Sequence, residues 1–95
     1  MDQITKEKLE KYFKITSEAL DKAKKAPKDP HMLSHAEDFL HMVQRYYDDA
    51  KHFEKKGDFV TAFAALNYAH GWLDAGARIG LFKVKDSRLF TVDDE

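Results

Sequence analysis

The sequence predicts an all-α protein, a three-helix antiparallel up-and-down bundle with a short extended C-terminal tail. Three observations predict it. Apolar residues recur at alternating steps of four and three along three stretches, which is the repeat of one face of an α-helix. Two brief breaks, at Lys24–Pro30 and at Gly57-Asp58, separate those stretches and are short enough to fold neighbouring helices back on each other. From Phe82 onward the helical repeat is lost and the residues favour extended chain. At 95 residues the chain makes one domain. The expected division is a bundle over 1–82 and a tail, extended or frayed, over 83–95.

Helix one is expected over residues 4–26. Thr5, Leu9, Tyr12, Thr16, Ala19, Ala23 and Ala26 share a face, Phe13 and Leu20 widen it, and lysines and glutamates take the solvent side. Asp2 or Thr5 caps the start. Pro27 cannot continue the helix, and Asp29-Pro30 reads as an N-cap with proline at the first helical position. Helix two follows over 30–56, with Met32, Ala36, Phe39, Val43, Tyr46, Ala50 and Phe53 as its stripe. Gly57 suits the left-handed residue that ends a helix, and Asp58 caps the next.

Helix three is expected over 58–80. Phe59, Phe63, Leu66, His70, Leu73, Ala77 and Gly80 form its stripe, and Ala62, Ala65, Ala69 and Gly76 form a second stripe of small residues. This helix carries more apolar surface than two partners can cover. It is either sandwiched by the tail or it presents a face to another molecule. Gly71, Gly76 and Gly80 each weaken a helix by up to about 1 kcal/mol relative to Ala, so close packing is expected to compensate. In the tail, Leu81–Val84 and Arg88–Val92 are strand-like, Lys85-Asp86-Ser87 reads as a turn, and Phe82 and Phe90 are expected to dock on the bundle. Asp93-Asp94-Glu95 is expected to fray.

Composition narrows the function classes. Hydrophobic residues make up 43% and charged residues 35%, as in a globular domain with a heavily charged surface. The formal net charge is -1, which argues against non-specific nucleic-acid binding. With no cysteine there is neither disulfide nor thiolate metal site. No apolar run is long enough to span a bilayer and the N-terminal residues form no signal peptide, so the expected location is the cytoplasm, without membrane association. Abundant Lys and Glu without Cys also suits a thermophile.

Five residues stand out as binding candidates. His70, Asp74 and Arg78 form a polar line at four-residue steps down the apolar third helix, where a carboxylate could hold one imidazole N–H. Tyr46 and Asp49 belong to the cluster Tyr46-Tyr47-Asp48-Asp49, with Tyr68 expected near its end of the helical hairpin. His31, His35 and Asp38 have the spacing of one helical face, but an exposed polar face accounts for them and no metal site is assigned. Lys22, Lys24, Lys25 and Lys28 make a basic corner that either touches phosphate or complements a helix C-terminus. No catalytic set converges and no cofactor motif is present.

The element Tyr46-x-x-Asp49-Ala50, then Phe53, the Gly57-Asp58 corner, and Tyr68-Ala69-x-Gly71-x-Leu73-Asp74-Ala75 leading to Gly80-Leu81, resembles a small archaeal family, domain-of-unknown-function family 357. That resemblance implies a three-helix bundle, archaeal origin and no assigned activity. A second resemblance is to the HEPN domains, which include RNases with an Arg-x4-6-His motif; Arg45 and His52 have that separation. It implies RNA cleavage in a dimer cleft with the histidine in acid/base chemistry. The chain departs from that pattern in Tyr46 after Arg45 and in having three helices where four or more are usual. The leading expectation is a non-enzymatic interaction module, self-associating as a homodimer or binding another protein. The alternatives are an RNase using Arg45 and His52, or an RNA- or ribosome-associated binder using the lysine corner.

Overall fold

Local chemistry starts and stops each helix. The computed structural model describes residues 3–91; the proposed cap Asp2 and the tail residues Val92–Glu95 lie outside them. The Thr5 hydroxyl accepts the Lys8 N–H at 3.1 Å and opens α1 (Lys6–Lys25). Beyond α1, the Lys28 ammonium donates to three carbonyls, Ala23 at 2.9 Å and Lys24 and Ala26 at 2.8 Å. It thereby satisfies acceptors at the negative end of the helix dipole.

Asp29 accepts the His31 N–H at 2.9 Å, and Pro30 opens a short 3₁₀ turn (Pro30–Met32) before α2 (Leu33–Lys55). The α2 end uses a Schellman motif. Gly57 has φ 79°, its N–H donates to Glu54, and the Asp58 N–H reaches back to Phe53. Asp58 then caps α3 (Phe59–Arg78), accepting the Thr61 N–H at 3.1 Å.

The three helices pack together, and no strand occurs among the described residues. The helices α2 and α3 form the principal pair, with α1 lying mainly against α3. One end of the core holds Leu9, Phe13, Ala50, Ala62 and Leu66. The other, larger part joins Ala19, Leu20 and Ala23 of α1, Ala36 and Val43 of α2, and Ala69 and Leu73 of α3. Fully buried alanines on every helix permit short interaxial distances. No helix among the described residues is long and apolar enough to cross a membrane.

The tail completes the larger core. A second Schellman motif ends α3, with Gly80 at φ 82° and the Leu81 N–H on the Gly76 carbonyl at 2.8 Å. Leu81 and Phe82 turn inward, the latter fully buried, and the Lys83 N–H donates to the Pro27 carbonyl at 3.0 Å. The chain reverses over Asp86–Leu89, one residue later than expected. The Asp86 carbonyl accepts the Leu89 and Phe90 N–H groups, and its carboxylate accepts the Arg88 N–H at 3.0 Å. Leu89 and Phe90 return to the core at 1% and 2% exposure, so docking involves Leu81 and Leu89 besides the two expected phenylalanines.

Three helix-three expectations change. Close packing compensates for only one glycine, Gly76, where an added Cβ would collide with the Phe82 ring, its Cε1 only 2.9 Å away. Nothing lies within 4 Å of such an atom at Gly71, and Gly80 is past the helix, serving its cap. Ala69, not His70, takes the buried position between Leu66 and Leu73, because the buried face turns toward the small-residue stripe.

Two predictions follow from these positions. Gly76→Ala should destabilise the fold by about 1–3 kcal/mol through overpacking, whereas Gly71→Ala should stabilise it by up to about 1 kcal/mol through helix propensity; urea denaturation followed by circular dichroism separates them. Hydrogen bonds from the Thr61 hydroxyl, then its backbone N–H, hold the Asp58 carboxyl below its ordinary value, against a smaller opposing effect of desolvation. A depressed folded-state value adds stability above the unfolded carboxylate value of about 3.9, and that stability is lost as pH falls through the folded value. Asp58→Asn should therefore melt a few degrees below wild type at neutral pH, and the gap should close in acid.

Candidate functional site

The polar line of α3 faces the tail. His70 Nε2 lies 2.6 Å from the Leu89 carbonyl oxygen, so that nitrogen carries the hydrogen and donates. Asp74 Oδ1 accepts the Thr91 N–H at 2.9 Å. The two side chains approach within 3.8 Å, which makes them neighbours across a gap too long for a hydrogen bond. The carboxylate thus holds the tail backbone, where an imidazole N–H had been its expected partner. His70 is half-buried at the edge of the core. Arg78, one turn further, is exposed and has no hydrogen bond or ion pair among the described residues.

These three side chains and the returning tail line an open groove of about 390 Å³. Arg88 forms its other bank and is itself tied to Glu18 at 3.1 Å and Asp86 at 3.6 Å. Among the described residues, the geometry provides the unpaired Arg78 guanidinium and the remaining lone pairs of Asp74. The principal work of His70 and Asp74 here is to fasten the tail.

Tyr46 and Asp49 are not brought to this groove. Tyr68 and His70 are two residues apart, hence about 200° around the helix, and Tyr46 stacks on Tyr68 (centroids 4.6 Å, interplanar angle 10°) on the far flank of α3. Asp49 is exposed and has no hydrogen bond or ion pair among the described residues.

That far flank contains an apolar groove that sequence reasoning missed. Phe39, Tyr68, Gly71, Trp72 and Ala75 line a volume of about 360 Å³. Phe39 meets Trp72 edge to face at 4.8 Å, and the buried Trp72 Nε1 donates to nothing among the described residues. Tyr68, Trp72, Ala75 and Ile79 are themselves spaced as a helical stripe, a signal present in the sequence.

The other candidates fall apart spatially. His31 belongs to the 3₁₀ turn and His35 to α2, so their spacing is not one continuous α-helical face. No group of three or more metal-ligating side chains occurs among the described residues. Arg45 and His52 are both on the exposed side of α2, and the His52 ring packs against Phe53 at 5.4 Å. Within the lysine corner, Lys28 caps α1, Lys24 reaches Gln44 at 3.1 Å, Lys25 pairs with Asp21 at 3.1 Å and Lys22 with Asp86 at 2.8 Å.

Replacing His70 and Asp74 tests the fastening directly. The double variant His70→Ala, Asp74→Ala should raise amide exchange at Leu89–Thr91 by about tenfold or more, reflecting at least about 1.4 kcal/mol lost from two tail contacts. The amides of α2 should change far less, which hydrogen exchange read by NMR would show.

Residues 11–82 match a family described as "Protein of unknown function (DUF357)". No curated protein and no solved structure matches the chain.

Proposed function

The chain belongs to the DUF357 family, and for it we propose a non-enzymatic role: a helical interaction module that self-associates through the outer face of α3. The observation that carries this reading is the composition of that face. Val60, Tyr68 and Ile79 are exposed at 62%, 61% and 58%, with the small residues Ala64, Gly71 and Ala75 exposed among them. Asp74 and Arg78 are the only charged residues of the helix, and Asp74 is turned to the tail. The exposed sides of α1 and α2, by contrast, are dense in Lys, Glu and Asp.

A second copy is the favoured occupant on two grounds. Small residues allow two α3 helices to approach closely, and a two-fold arrangement sets Tyr68 or Ile79 of each copy toward the aromatic groove of the other. The net charge of -1 adds almost no long-range repulsion between copies. A charged surface elsewhere, and helices too polar to cross a bilayer, fit a cytoplasmic setting.

Light scattering after size exclusion tests the reading. Wild type should run at twice the 11.0 kDa of one chain at high concentration, and Ala75→Arg should run at the single-chain mass with its helical spectrum intact. A wild type that stays monomeric across the accessible concentration range removes the proposal.

A further inference from the structure

We propose that the groove between the C-terminal end of α1 and the tail binds the phosphodiester backbone of a single-stranded nucleic acid, with Lys83 and Lys85 as its principal contacts. The net charge conceals a strong local imbalance. Residues 21–29 and 83–88 carry seven Lys or Arg against three Asp, and the fold brings the two segments together. The groove they enclose has a volume of about 350 Å³ and takes Lys22 and Lys25 from one side and Lys83 and Lys85 from the other.

The tail lysines differ from those of the corner. Each corner lysine already has a partner, whereas the Lys83 and Lys85 ammonium groups enter no hydrogen bond or ion pair among the described residues. The segment is neither helix nor turn, is pinned by the Lys83 N–H on Pro27 at 3.0 Å, and half-buried Val84 packs toward the core. Lys83 and Lys85 on either side of it are both exposed and both line the groove, and residues two apart in extended chain are about 7 Å apart. That interval is comparable to the step between successive phosphates of an extended strand. Opposite them, the Lys25–Asp21 pair is exposed, worth little, and free to exchange its carboxylate for a phosphate, while Lys22 stays paired with half-buried Asp86.

A lipid surface fits less well. Membrane-surface binding needs apolar side chains to insert, and the groove offers only Ala26 and Val84, both half-buried and packed against the core. The site is independent of the self-association face, so either proposal can fail without the other.

Fluorescence anisotropy of a labelled oligouridylate, titrated with the full chain at several salt concentrations, tests the site. Wild type should bind with a salt-dependent affinity. Lys83→Ala with Lys85→Ala should weaken binding about tenfold at low salt and reduce the log–log salt slope by about 1.4, the value for two phosphates of a single strand. Lys11→Ala with Lys14→Ala removes the same charge from exposed α1 positions outside the groove and should leave both quantities nearly unchanged. Absence of binding at low salt overturns the proposal, as does equal loss in the two double variants. So does equally tight binding of polyglutamate, which would show no preference for phosphate, or binding to phosphatidylserine vesicles without binding to RNA.

Discussion

The contact between Gly76 and Phe82 is the constraint on which the arrangement of the C-terminal half depends. Because Gly76 has no side chain, the tip of the Phe82 ring reaches the backbone of α3, and the residue is wholly buried. That position requires the chain to turn immediately after the helix, which the left-handed Gly80 permits. The turn carries Lys83 to the Pro27 carbonyl and ties the end of α3 to the corner between α1 and α2. Everything further along, the reversal at Asp86 and the return of Leu89 and Phe90, builds on that anchor. A small domain with no disulfide gains the apolar burial of Leu81, Phe82, Leu89 and Phe90, which local helix formation alone would leave in water.

The same anchoring divides α3 into two unlike flanks. The tail covers one, where His70 and Asp74 hold the backbone of Leu89 and Thr91. On the other, Phe39, Tyr46, Tyr68 and Trp72 build an aromatic edge across α2 and α3 that nothing in the chain covers among the described residues. The family match covers residues 11–82, so it includes the aromatic edge and Gly76 but stops before the segment that His70 and Asp74 fasten.

Helix formation was legible because its causes are local. The stripe Ala36, Val43, Ala50, the caps Thr5, Asp29 and Asp58, and the left-handed Gly57 are each set by residues within a turn of one another. The candidate site was legible only as a line of polar residues. What those residues do was not: the partners of His70 and Asp74 lie 19 and 17 residues away and are backbone groups, which carry no sequence signature. Helix rotation was also hidden. A helix with apolar residues nearly all round admits several buried faces, and the choice of Ala69 over His70 came from how closely α1 and α2 could approach.

By itself, then, the sequence determined three helices, their approximate bounds and their antiparallel order, since periodicity, caps and short breaks act within a few residues. Only tertiary structure decided which face of α3 is buried, where the tail returns, and which lysines lie exposed beside the α1 corner. Those outcomes depend on steric fit and hydrogen bonds between segments far apart in the chain, and Gly76 with Phe82 shows how one missing side chain settles several of them together.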